Sequence, residues 1–114
     1  MISEEYLVKE FTTVIERFYP EAGELLRHCS VKIIRYSYGR PPRILQYIGI
    51  YSPQHLFAAV EKNKDAYREI AQQMGLAEVV CRNATRLVRD PLSKIKREDP
   101  RLWLELHWLV SQAG

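Results

Sequence analysis

Residues 67–89, YREIAQQMGLAEVVCRNATRLVR, carry the local pattern from which the rest of the fold is placed. Ile70, Ala71 and Met74 recur at helical spacing, and Gly75 follows where that pattern stops. Glycine takes the left-handed backbone that ends a helix without the ~1–2 kcal/mol a Cβ costs there. The pattern predicts a helix over 65–74, a turn at Gly75, and a second helix over 77–89 closed by Asp90-Pro91. In that second helix Val80, Ala84, Leu87 and Val88 face inward, with Cys81 beside them. Arg82, Arg86 and Arg89 then stand at i, i+4 and i+7, one stripe on the opposite face with Glu78 and Thr85.

Upstream, Ser52-Pro53 joins a capping hydroxyl to a proline at the first helical position, so a helix starts there with Leu56, Phe57 and Val60 inward. The polar run 61–65 breaks it near Asn63. Residues 31–38 and 44–51 are rich in Val, Ile and Tyr around the break Gly39-Arg40-Pro41-Pro42. They predict a β-hairpin, although runs this short also permit helical spacing. A lone hairpin is marginally stable, so it must lie on helices or meet a partner. Further upstream, Ser3 caps a helix whose Glu4 and Glu5 suit the N-terminal dipole. Leu7, Phe11, Val14, Ile15 and Phe18 make one apolar face on it. Pro20 ends this helix and opens another over 20–29, with Leu25, Leu26 and Cys29 inward.

Downstream, a basic connector over 92–97 leads to Asp99-Pro100, the start of a last helix. Leu102, Trp103, Leu106, Leu109 and Val110 form its main apolar face, while Leu104 and Trp108 project from the opposite side. The fold class is therefore α+β, mainly helical, in one domain over 1–114: two N-terminal helices, a β-hairpin, a three-helix unit and a C-terminal helix.

Ala71, the glycine four positions later, and the apolar Ile70, Met74 and Leu76 resemble the helix-turn-helix superfamily over the 23 residues 67–89. Cys81 and Ala84 depart from it by filling inner positions that are usually aliphatic. The resemblance implies a small DNA-binding regulatory protein, a dimer that lays its second helix in a groove of duplex DNA. Arg82, Asn83, Thr85, Arg86 and Arg89 become the nucleic-acid-binding residues, since guanidinium groups suit phosphate and the O6/N7 edge of guanine. Lys94, Lys96 and Arg97 then hold the DNA backbone. The competing reading is a non-enzymatic protein–protein interaction adaptor or assembly factor that uses the hairpin and the C-terminal helix. On that reading the arginine stripe is only the wet side of an amphipathic helix. Both suit a homodimer with Leu104 and Trp108 at its interface, because covering each recovers ~1.5–3 kcal/mol.

Net charge is +3, too small by itself to imply nucleic acid, but it is uneven. Residues 1–30 carry three basic and six acidic side chains; residues 31–75 carry seven and three, and residues 76–114 seven and five. Such a split orients a molecule toward a polyanion. On the hairpin, Tyr36, Tyr38, Tyr47 and Tyr51 lie among Arg35, Arg40 and Arg43. Such a cluster stacks single-stranded bases or serves cross-strand packing. No Gly-rich phosphate loop, Ser/His/Asp signature or paired-histidine motif is present. His28, His55, Cys81 and His107 would have to converge from four distant positions to hold zinc. No catalytic residue, cofactor or metal site is expected. No apolar run approaches the ~20 residues of a membrane span. The opening MISEEYLVKE is acidic where an export signal is basic and then apolar. A cytoplasmic protein with Cys29 and Cys81 as reduced thiols is the expectation.

Overall fold

In the computed structural model, which describes residues 3–112, α1 spans Glu4–Phe18 and α2 Pro20–Leu26. Ser3 caps α1, its hydroxyl oxygen accepting the Tyr6 N–H at 3.1 Å. α2 stops short of Cys29. The N–H groups of Arg27, His28 and Cys29 each donate three residues back, which tightens the last turn before the chain extends. Two strands follow, β1 (Ser30–Tyr38) and β2 (Arg43–Ser52), antiparallel from Ser30↔Tyr51 to Tyr38↔Arg43. The expected hairpin is present, slightly longer at each strand. α3 (Gln54–Lys62) and α4 (Lys64–Gln73) come next, separated at Asn63. Gly75 follows α4 with φ +80°, the left-handed turn its position predicts.

Beyond Gly75 the chain departs from the expected second helix. Val79–Asn83 is a strand, β3, and only Ala84–Arg89, α5, is helical. β3 runs parallel to β2, from Ile48↔Val79 to Ser52↔Asn83. The cause is non-local. Val79, Val80 and Cys81 suit an extended chain as well as a helix, and β2 has a free edge that must be hydrogen-bonded. The Ala77 N–H donates to the Gln46 carbonyl at 2.8 Å and the Ile48 N–H to the Glu78 carbonyl at 3.0 Å, opening the ladder. Asn83 then caps α5 by accepting the Arg86 N–H at 3.1 Å. The three-helix, helix-turn-helix-like unit is thus replaced by two helices, a strand and a six-residue helix.

Ser52 also differs from expectation. It ends β2 instead of capping α3, and its buried hydroxyl has no hydrogen-bond partner among the described residues. The Thr85 hydroxyl accepts the first N–H of α3, that of Gln54, at 3.0 Å. The connector contains a short helix, α6 (Ile95–Glu98), before α7 (Pro100–Gln112). Asp99 caps α7 as predicted, its carboxylate accepting the Leu102 N–H at 3.1 Å.

The sheet order is β1-β2-β3, with β2 central. One face meets α1 to α4. Ile48, Ile50 and Val79 are buried there against Phe11, Ile15, Leu26, Val60, Tyr67 and Ile70. Each such large side chain contributes about 1.5–3 kcal/mol on leaving water. The Tyr67 hydroxyl donates to the Ala22 carbonyl at 2.8 Å, so its polar end is satisfied inside the core. Phe18, expected on the apolar face of α1, is exposed instead. The other face is covered at one end only. There Tyr51, Ala84 and Leu106 are buried, with Leu87, Val88, Ile95, Leu102, Leu109 and Val110 packed around them. Leu104 and Trp108 point away, 62% and 64% exposed. The domain is mainly helical α+β, as its sequence predicts. Among the described residues no helix is long and apolar enough to cross a membrane.

Candidate nucleic-acid interface

Side chains alternate across a strand, so the pairing register assigns each residue to a face. Lys32, Ile34, Tyr36 and Tyr38 of β1 share the second face with Arg43, Leu45, Tyr47, Gly49 and Tyr51 of β2. Val80 and Arg82 of β3 join them through Gly49↔Val80 and Tyr51↔Arg82. α5 and α7 cover only the end at Tyr51, so most of this face is open. Tyr36 and Tyr38 are exposed and Tyr47 is half-buried, while the Ile34 side chain and the Tyr51 ring fill the space over Gly49. Between Glu24 and Glu61 the chain has no acidic residue, so the two hairpin strands bring none to the face. The result is an aromatic and basic surface on a flat support, the combination that stacks bases and neutralises phosphates.

The predicted site residues scatter. Arg82 lies on β3, on the open face beside Tyr51. Asn83 is committed to the fold, since it caps α5 and its amide donates to the Gln54 side-chain oxygen at 2.9 Å. Thr85 is buried and holds the start of α3. Arg86 and Arg89 stay together, exposed on the outer side of α5, beside a shallow hollow shared with Gln54, Thr85 and Asp90. The stripe of three arginines does not form, because Arg82 belongs to a strand and the other two to a helix. Lys94 precedes α6 and Arg97 lies on it, both exposed. Lys96, also on α6, places its ammonium 5.0 Å from the centroid of the Trp103 ring, a cation–π contact within the protein.

The hairpin cluster also divides. Tyr36, Tyr38, Tyr47, Tyr51 and Arg43 share the open face, whereas Arg35 is on the other side and pairs with Glu4 at 3.0 Å. Lys32 is on the open face but bound to Glu105 of α7 at 2.7 Å. Arg101, in the first turn of α7, borders the same face, and no local pattern in the sequence marks it. Once register is known, a period of two picks out Tyr36 and Tyr38 along β1 and Arg43, Tyr47 and Tyr51 along β2, and the aromatic and basic composition of the hairpin is the signal of this face in the sequence.

Burial raises both thiols, Cys29 to about 12 and Cys81 less strongly, which suits apolar packing and not nucleophilic chemistry. Among the described residues no three His, Cys, Asp or Glu side chains gather as metal ligands would. No family model matches the chain, no curated protein is similar to it, and no solved structure matches its fold.

Proposed function

We propose that this is a small cytoplasmic regulatory protein that binds single-stranded nucleic acid on the open face of its sheet and catalyses no reaction. The observation that carries this is the face itself: Tyr36, Tyr38, Tyr47 and Arg43 uncovered on paired strands that bring no carboxylate to it. The DNA-binding expectation raised by residues 67–89 moves from a helix in a duplex groove to a strand laid on a sheet, because residues 79–83 of the required helix form a β-strand and only 84–89 are helical. Bases stack on Tyr36 and Tyr47, and Arg43 meets the phosphates. A homodimer through Leu104 and Trp108 on the outer side of α7 belongs to the same proposal, since that side faces away from the sheet.

Fluorescence anisotropy with labelled single-stranded oligonucleotides at two salt concentrations tests the reading. Tyr36 is exposed, so Tyr36→Ala leaves the fold intact and is expected to weaken binding by about 1–3 kcal/mol through lost stacking. Arg43→Ala is expected to lower the salt slope by about one unit. Wild-type protein that binds no single strand at low salt sinks the proposal. Equal loss of duplex binding in Arg86→Ala/Arg89→Ala, with Tyr36→Ala unaffected, would return the site to α5.

A further inference from the structure

We infer that the cavity between the open sheet face and α7 holds a phosphate monoester at the end of the bound strand, an assignment that rests on the strand-binding reading above. The open face is a groove with one closed end. It runs from the hairpin tip to α7, which lies across the face where β1 begins and β2 ends. Glu105 of α7 fixes that crossing, accepting the Ser30 hydroxyl at 2.8 Å and pairing with Lys32 at 2.7 Å. Beneath it is a cavity of about 460 Å³, within the usual size of a small-ligand site.

Six charged side chains line this cavity, three acidic and three basic, and the acids are engaged. Glu4 pairs with Arg35 at 3.0 Å, Glu105 with Lys32, and Asp99 accepts the Leu102 N–H at 3.1 Å. Arg82 and Arg101 have no carboxylate within 4.0 Å among the described residues. Tyr51 is 8% exposed, and its hydroxyl has no hydrogen-bond partner in the protein among those residues. Burial raises its pKa, so it remains a donor at neutral pH. Two guanidinium groups without an ion-pair partner among the described residues and a largely buried phenol therefore border one cavity, a donor set that suits phosphate oxygens. α7 blocks any continuation of a strand along the face, so the part of the polymer that reaches the cavity is its end. A phosphate monoester there carries about −1.5 to −2 charge and three acceptor oxygens, more than an internal diester offers.

Matched oligonucleotides bearing a 5′-phosphate, a 3′-phosphate or hydroxyls at both ends test the inference by anisotropy. One phosphorylated form is expected to bind about 10-fold tighter than the hydroxyl-ended strand. Arg101→Ala, at an exposed position, is expected to erase that difference, so that phosphorylated and hydroxyl-ended strands bind the variant alike. Tyr51→Phe, which keeps the packing, is expected to reduce it. Equal affinity of all three oligonucleotides overturns the inference and leaves strand binding standing. A mononucleotide that binds as tightly as the phosphorylated strand assigns the cavity to a free phosphate compound and also overturns it. If no oligonucleotide binds, the strand-end assignment falls with the strand-binding reading. Inorganic phosphate then decides the ligand chemistry alone. Saturable NMR shifts at Arg82, Arg101 and Tyr51 in wild type, lost in Arg101→Ala, support a phosphate site; their absence overturns it.

Discussion

Gly23 lies where α2 crosses α1, and the crossing is as close as a glycine allows. A Cβ there would meet the Glu16 Cα at 2.6 Å and its backbone nitrogen at 3.0 Å, atoms that cannot rotate aside. Gly75 is the contrasting case: its φ is +80°, yet no atom lies within 4 Å of the Cβ it lacks. Gly23→Ala is expected to cost about 1–3 kcal/mol by forcing the helices apart, and Gly75→Ala only ~1–2 kcal/mol of backbone strain. Chemical denaturation of both variants checks the order; a Gly23→Ala protein as stable as wild type would mean that the helices separate freely. The cysteines show a second residue-scale constraint. Cys81 is level with Ile50, which is level with Val31, while Cys29 precedes β1. Both pack against the same core, and Cys81 adds to burial in raising the Cys29 thiol. Both are free thiols in the structure.

At the scale of elements, the β3–α5 junction organises the end of the molecule opposite the hairpin tip. Asn83 closes β3, caps α5 and reaches Gln54 of α3, and Thr85 holds the first N–H of α3. One residue therefore ties two consecutive elements to a third that lies 29 residues earlier. Asn83→Ala is expected to cost about 1 kcal/mol, the usual loss for an N-cap, with oligonucleotide affinity unchanged. Thermal denaturation and anisotropy together check this. Unchanged stability with weakened binding would restore Asn83 to the nucleic-acid contact expected of it on a helix.

For the whole molecule, the sheet has one face packed by four helices and the other open except at the Tyr51 end, which is covered by α5 and α7. α7 has two contrasting sides. Its inner side anchors the second core through Leu106; its outer side leaves Leu104 and Trp108 in water. Covering two such side chains recovers ~1.5–3 kcal/mol each, and a two-fold partner does so symmetrically. Sedimentation is expected to show a wild-type dimer at micromolar concentration and a folded monomer for Leu104→Glu/Trp108→Glu. A wild-type monomer across that range refutes the dimer. Loss of folding in the double variant would show instead that these residues serve the core.

Much of the architecture is local and therefore legible in the chain. The Ser3 and Asp99 caps, Pro20, the break at Asn63, the Gly75 turn and the hairpin around Gly39 follow from φ preference, capping and apolar period, which act within a few residues. The same period separates Leu106 from Leu104 and Trp108 on α7. Residues 79–83 are the opposite case. Val-Val-Cys-Arg-Asn fits a helical stripe and an extended strand alike, and the strand preference of two valines alone does not decide between them. The edge of β2, some thirty residues earlier, decides it by offering backbone partners that a buried strand needs. That one pairing dissolves the arginine stripe, moves Arg82 onto the sheet and brings Arg101 of α7 to the same cavity. The sequence by itself determined α1 to α4, α7, the Gly75 turn and the hairpin, because the preferences that place them are short-range. Only the tertiary structure decided which face stays open and which cations meet there, because hydrogen bonding between distant strands sets the register.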